Sequence, residues 1–446
     1  MTETAKEVSK GARLGPIHWA SGITGGNGIA LVSAAFFLGI VSPYINFAQP
    51  YILTEHLGIP SNEQGTVSGN LAFWSEVVLI ALAGVMGAWS DKSGRRVVFT
   101  FGMMLVAISY FLYPLATSYN ELLAYRVVFA VAMAAVGAMF VAVQAEYPED
   151  RSRGKLVGLM GIISILGVMF VVILLAPLPA RFAEAGATAI EAGRYAYWVT
   201  AGLALIGGVL VWLGLAKHSR TKNDDNESVL QRLKIGMGAA RGNPRIALAY
   251  AAAFIGRTDL VVVVIFLSLW MTQAGVAEGM TTQDALVQAG ALFGVLQLAA
   301  LLFAPVIGIL IDKISRVAGV ALATAIAMVG YVWMGSLESP LGPQAYPAAV
   351  VLGMGQVSAI VAATALVGQE ASKELTGSIS GAFNVFGAIG ILLATKAGGW
   401  LFDTWMPGAP FIITGLANGA VLIAAMGLIW AGVSKPAPVA TQLSGN

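Results

Sequence analysis

Long apolar stretches alternate with short polar ones along almost the whole chain. After a polar, glycine-rich tract from Met1 to about Asn27, an apolar run extends from Ile29 to about Leu53. Further runs follow near 65–89, 97–117, 122–145, 155–178 and 194–216. A polar stretch intervenes, and then come runs near 245–274, 286–311, 317–336, 345–369, 377–403 and 409–432. Each is long enough to cross a bilayer, for which about 20 apolar residues suffice. In hydrocarbon a single segment satisfies its own backbone only as a helix. The pattern therefore predicts an all-α membrane protein of twelve transmembrane helices in two pseudo-symmetric six-helix bundles. The expected divisions are a tail 1–28, a first bundle 29–216, a linker 217–244, a second bundle 245–432 and a second tail 433–446. Within the linker, Val229, Leu230, Leu233 and Ile235 are spaced for one face of an amphipathic helix. The mixed charges before it, from Lys217 to Glu227, suit a flexible tether.

Composition agrees with a lipid-embedded chain. It is 57% hydrophobic and 11% charged, with a mean hydropathy of +0.79, too few charges to cover a soluble surface of this size. Without a cysteine there is no disulfide, thiolate metal site or cysteine nucleophile. The three histidines, His18, His56 and His218, fall outside the apolar runs, so no histidine metal cluster is expected. No phosphate-cradling Walker loop or Ser/His/Asp arrangement is visible, so neither ATP hydrolysis, other enzymatic chemistry nor a cofactor is expected. The first tract is not read as a secretory signal, because the run after it is too long for an h-region.

Charge sets the orientation. Of 25 Lys and Arg residues, 20 lie in the two tails or in the loops on the same side as the linker, whereas Arg181 and Arg194 alone lie on the other. The positive-inside rule places both termini and the linker in the cytoplasm, with the chain in a bacterial inner membrane. Basic loops there meet anionic lipid headgroups rather than nucleic acid.

One polar island recurs. Gly87, Asp91, Lys92, Gly94, Arg95 and Arg96 form G-x-x-x-D-K-x-G-R-R between the second and third runs, and Gly308, Asp312, Lys313 and Arg316 repeat its spacing 221 positions later. The loop and its repetition near half the chain length resemble the signature of the major facilitator superfamily of secondary transporters. The resemblance implies alternating access between two bundles, no cofactor and a monomer. It also implies a gate on the cytoplasmic side. There Gly87 and Gly308 let helices approach, and Asp91, Arg95, Asp312 and Arg316 make polar contacts with Glu146 and Glu370 as acidic partners at the ends of the fourth and tenth helices. The second copy lacks the glycine and the paired arginine, and the alternative reading of both loops is as topology determinants.

Five charged residues lie within the spans, and such residues are by default functional because burying them is costly. Glu76 is midway along helix 2, Arg126 near the outer end of helix 4, Arg257 and Asp259 in the middle of helix 7, and Lys396 in the outer half of helix 11. Arg126 stands in Leu122-Leu-Ala-Tyr-Arg-Val-Val-Phe-Ala130, which is similar to the family's helix-4 motif with Ala130 in place of its glycine. That arginine is linked in the family to coupling or substrate contact; the alternative is a structural bond to Asn46, Gln49 or Glu76. Arg257 and Asp259, two apart on a helix, need separate partners. Lys396 weakly resembles the helix-11 lysine of carboxylate carriers, with snorkelling to the surface as the competing explanation. Glu76 and Asp259 are the candidate proton carriers, or else salt-bridge partners of Arg126 and Lys396 respectively. Asn46, Gln49, Asn70, Gln297, Gln356 and Asn384 are uncharged cavity candidates, with Tyr44, Phe47, Trp74 and Trp270 as aromatic ones.

These residues lead to proton-coupled transport of a small organic anion, with Arg126, Arg257 and Lys396 contacting it. The alternatives are proton-driven efflux of lipophilic compounds and a non-transporting receptor or assembly factor on the same fold. Against efflux, Gly158 and Gly167 keep the first spacing of the antiporters' helix-5 motif, but Val171 and Val172 stand where its Gly-Pro belongs.

Overall fold

The computed structural model describes residues 13–15, 17–217, 229–371 and 375–433. Twelve helices among them are long and apolar enough to cross a membrane. They are α1 (Gly25–His56), α2 (Gln64–Ser93), α3 (Arg95–Leu115), α4 (Tyr119–Glu146), α5 (Asp150–Glu184), α6 (Ala189–Gly214), α7 (Pro244–Ala277), α8 (Thr282–Lys313), α9 (Arg316–Gly335), α10 (Ala345–Glu370), α11 (Thr376–Thr404) and α12 (Ala409–Trp430). The shortest has 20 residues, about 30 Å at 1.5 Å per residue and so a full crossing of the hydrocarbon. Large aliphatic side chains such as Leu213, Leu302 and Ile423 stand out from the surface, and Trp430 is 94% exposed. Such a surface suits lipid rather than water. The expected fold class is the observed one.

Two compact units divide the chain within α7, at Val263, and within α8, at Gln297. Described residues up to 217 and Val264–Gln297 form the first unit; those from 229 to Val263 and from Leu298 onward form the second. The first division falls in a π-helical turn, Val263–Leu267. Side chains explain why the middle stretch joins the first unit. Ser268 Oγ donates to the Phe47 carbonyl at 2.5 Å, Gln273 Nε2 to the Ser61 carbonyl at 2.8 Å, Gln283 Nε2 to Tyr51 Oη at 3.0 Å, and Thr282 Oγ1 to the Glu55 carboxylate.

In the first unit α1 and α5 touch backbone to backbone. A Cβ on Gly39 would lie 2.0 Å from the Ser164 carbonyl oxygen, and one on Gly167 would lie 2.3 Å from that of Phe36. Larger residues at either place would force the helices apart. The internal repeat also appears in hydrogen bonding. Tyr110 on α3 donates its hydroxyl to the Val41 carbonyl of α1, and Tyr331 on α9, again 221 positions on, donates to the Asp259 carbonyl of α7 at 2.7 Å.

The tract before the first span is partly ordered, and the linker carries the amphipathic helix that its spacing predicts. Strands β1 (Arg13–Leu14) and β2 (Ile17–His18) pair antiparallel. Trp19 after them is fully buried, its ring lying where a Cβ on Gly28 would be. The Ala20 and Glu149 amides bond the Tyr147 and His18 carbonyls at 2.8 and 2.9 Å, which straps this segment to the loop between α4 and α5. A single buried indole in a short tract outside the apolar runs carries no periodicity, so the sequence pattern does not show the strap. In the linker, a helix spans Val229–Gly242 and packs on the second unit. Tyr250 donates its hydroxyl to the Gly236 carbonyl at 2.9 Å, and Leu233, Ala239 and Ala240 join the apolar core there. The linker residues 218–228, including the third histidine, lie outside the described residues.

Candidate functional site

Arg126 is the most enclosed cation among the described residues of the first unit, 3% exposed. Its helix starts at Ser118, whose hydroxyl caps the first turn. The side chain donates from Nε to Ser75 Oγ on α2 at 2.9 Å and from Nη2 to Asn46 Oδ1 on α1. Both partners are neutral, as is the nearby Tyr113 hydroxyl, and among the described residues the buried Nη1 has no hydrogen-bond partner. The guanidinium carbon lies 5.5 Å from the Phe129 ring centre. Of the partners weighed from the sequence, Asn46 is used. Gln49 instead accepts from the Tyr113 hydroxyl at 3.0 Å. Arg126 takes the serine before Glu76, and Glu76 itself is half-buried on α2. Ser75 carries no charge and so gave no signal in the sequence.

In the second unit Arg257 and Asp259 face different helices. Arg257, half-buried, donates from Nη2 to Asn384 Oδ1 on α11 at 2.6 Å. Gly387 provides the notch, since a Cβ there would lie 2.3 Å from Arg257 Cδ. Asp259 is 0% exposed. Its Oδ1 accepts from Asn418 Nδ2 on α12 at 3.0 Å, while among the described residues Oδ2 has no hydrogen-bond partner. Gln356 Nε2 reaches the Asp259 carbonyl at 3.5 Å. The weighed ion pair between Asp259 and Lys396 is not formed, because the carboxylate points toward α12 and Lys396 lies on an exposed face of α11. Gln297 is half-buried on α8. Asn418 was missed, although it was legible as the one carboxamide in α12.

The repeated loops are wired differently. In the first, Arg95 donates from Nη1 to Asp91 at 2.7 Å and from Nε and Nη2 to Glu146 Oε1 at 3.1 and 2.9 Å, joining α2, α3 and α4. Gly94 makes the turn between α2 and α3 with φ of 92°, a backbone that glycine adopts without strain. In the second, Arg316 Nη1 binds Asp312 at 2.7 Å and the Ile311 carbonyl at 3.0 Å. Glu370 is not the partner of Arg316. Its Oε1 lies 3.0 Å from Arg245 Nη2 and its Oε2 accepts from Asn243 at 2.8 Å, and both charged side chains of this pair are buried, 3% and 7% exposed. Arg245, one residue into α7, reaches Glu370 first. A Cβ added at Gly87 or Gly308 would meet nothing within 4 Å, in contrast to Gly39 and Gly167.

The sequence profile of the Major Facilitator Superfamily matches residues 29–395. The magnetosome protein MamH of Paramagnetospirillum magneticum is 28% identical over 83% of this chain and 85% of its own length. MamZ of the same organism is 25% identical over 87% of this chain, which spans 60% of MamZ. Among solved structures, the nucleoside transporter NupG aligns with a TM-score of 0.67 at 13% identity, covering 90% of this chain and 98% of that one. A POT family transporter in complex with 5-aminolevulinic acid aligns at 0.68 and 15%, covering 92% and 97%. At such identities the structural likenesses speak for the fold alone.

Proposed function

The chain belongs to the Major Facilitator Superfamily, a family of secondary transporters, and on that premise we propose that it carries a small organic anion by alternating access, coupled to protons. The observation that supports this reading is Arg126, whose charge is enclosed among neutral partners with Nη1 unsatisfied. Enclosing a guanidinium whose hydrogen bonds go to neutral groups costs several kcal/mol, and an anion that takes the vacant donor offsets that cost. Arg257 and Lys396 are the cations of the second unit assigned to the anion, with Asn384 orienting Arg257 as Asn46 orients Arg126. Asn46, Gln49, Gln297, Gln356 and Asn384 are the uncharged binding candidates. Glu76 or Asp259 carries the proton. Asp259 is favoured by its enclosure and its unsatisfied Oδ2. The Asp91, Arg95 and Glu146 network, the Asp312–Arg316 pair and Glu370 with its partner Arg245 serve the gate on the linker side. In the proposed orientation that side is the cytoplasm of a bacterial cell, and the working form is a monomer.

Thermal stability of the purified protein against carboxylates, phosphates and lipophilic cations, at about pH 6 and pH 8, tests the reading. A ligand at 100 times its dissociation constant adds about 2.7 kcal/mol. Stabilisation by a carboxylate that disappears in Arg126→Ala supports it. Stabilisation confined to lipophilic cations and lost in Asp259→Asn or Glu76→Gln favours efflux instead. The similarity to MamH and MamZ supports a further reading, that this chain too is a magnetosome protein. The position of a fluorescent fusion in the cell decides that.

A further inference from the structure

None of the residues assigned to transport lines an apolar groove on the second unit, whose wall includes Thr258 beside Asp259 and Ala397 beside Lys396. One cavity of about 410 Å³ opens among α7, α11, α12 and the linker helix, lined near the linker side by Ala240 and Ala247 and, midway along α12, by Ala420. A second, of about 200 Å³, continues toward the far ends of α11 and α12, reaching Leu401 and Pro410. The two share Phe254, Ile255 and Ala417 as lining. From Ala247 to Val262 the groove follows α7 for about 22 Å, most of the roughly 30 Å hydrocarbon thickness. Ala247, Ala420 and Ile413 on its rim are exposed. In a bilayer, a groove of this kind faces acyl chains.

The linker-side end has a different chemistry. The linker helix contains no acidic residue. Lys234, Met237 and Arg241 are all exposed and stand at i, i+3 and i+7, on one face. Met237, 48% exposed, sits between the two cations. Ala240, next to Arg241, lines the larger cavity. An apolar residue flanked by cations on a helix lying at the membrane surface is the arrangement that dips into the headgroup boundary and attracts anionic lipid.

We propose that this groove is a binding site for one anionic phospholipid, with an acyl chain along α7 and the headgroup phosphate at Lys234 and Arg241. The lipid belongs to the leaflet on the linker side, the cytoplasmic one in the orientation above, and the site does not depend on which solute is carried. Bound there, the lipid fixes the linker helix to the second unit at the point where the two halves of the chain are joined.

Native mass spectrometry of the full-length protein, with phosphatidylglycerol and phosphatidylcholine of identical acyl chains offered in turn, tests the site. The expected result is a retained phosphatidylglycerol adduct, binding about five-fold more weakly for each cation removed in Lys234→Gln and Arg241→Gln. Filling the mouth from α12 by Ala420→Phe, or independently from α7 by Ala247→Phe, removes the adduct, whereas Leu302→Phe on another exposed apolar surface does not. Equal retention of the two lipids, no dependence on Lys234 and Arg241, or an adduct that survives both mouth-filling changes in folded protein would overturn the proposal.

Discussion

In the loop between α2 and α3 a single arginine, Arg95, gathers Asp91 and Glu146. In the loop between α8 and α9, at the same spacing, Arg316 holds Asp312 and a backbone carbonyl, while Glu370 belongs to Arg245. The contact common to both copies is the one that spacing alone determines. Residues four apart on a helical turn meet whatever surrounds them. The long-range contact depends instead on which cation arrives first. The entry to α7 supplies Arg245 and caps its helix with Asn243, whereas the entry to α1 is capped by Thr24 and has no cation nearby in sequence. The turn differs as well, with glycine at φ 92° in the first copy and Ser315, an N-cap at φ −64°, in the second. One loop is thus a three-helix junction; the other is a local turn beside a separate buried ion pair.

Substitutions that break this contrast should rank by burial. Arg245→Ala leaves Glu370 enclosed with Asn243 and should cost about 3–5 kcal/mol, seen as the largest fall in apparent Tm in a fixed detergent. Replacing both members by apolar residues, as in Arg245→Met with Glu370→Leu, should recover most of it. Arg95→Ala removes charge-assisted bonds from a partly exposed junction and should cost about 1.5–3 kcal/mol. Gly94→Ala forces an ordinary residue into the left-handed region, with an expected loss of about 1–2 kcal/mol, against a few tenths for Ser315→Gly by the same thermal measurement. Asp312→Asn, at an exposed pair, should change stability by less than about 1 kcal/mol. If it were as damaging as Arg95→Ala, the two loops would be equivalent and the contrast wrong.

What the sequence shows and what it hides follow from the same distinction. Twelve spans are legible because lipid demands long apolar runs, and Arg126, Arg257 and Asp259 because charge inside such runs stands out. The partners are harder. Ser75 is one of many small hydroxyl residues, and the Arg245 pairing looks in sequence like one more basic residue of the linker. Trp19 gives no periodic signal, and the division of the chain at Val263 depends on packing of residues 264–297 that no local pattern encodes. Asn418 is the exception: a lone carboxamide in an apolar helix is a polar partner waiting for a named donor or acceptor, and Asp259 was the residue in need of one.

The most direct test of the central claim is accumulation of a radiolabelled carboxylate, one that stabilises the purified protein, in proteoliposomes carrying an imposed proton gradient. Coupled transport predicts uptake above the equilibrium level with wild-type protein, collapse to that level when the gradient is dissipated, and none in Arg126→Ala. Accumulation indifferent to the gradient would contradict the proton coupling, and undiminished accumulation in Arg126→Ala would contradict the role given to its vacant guanidinium donor.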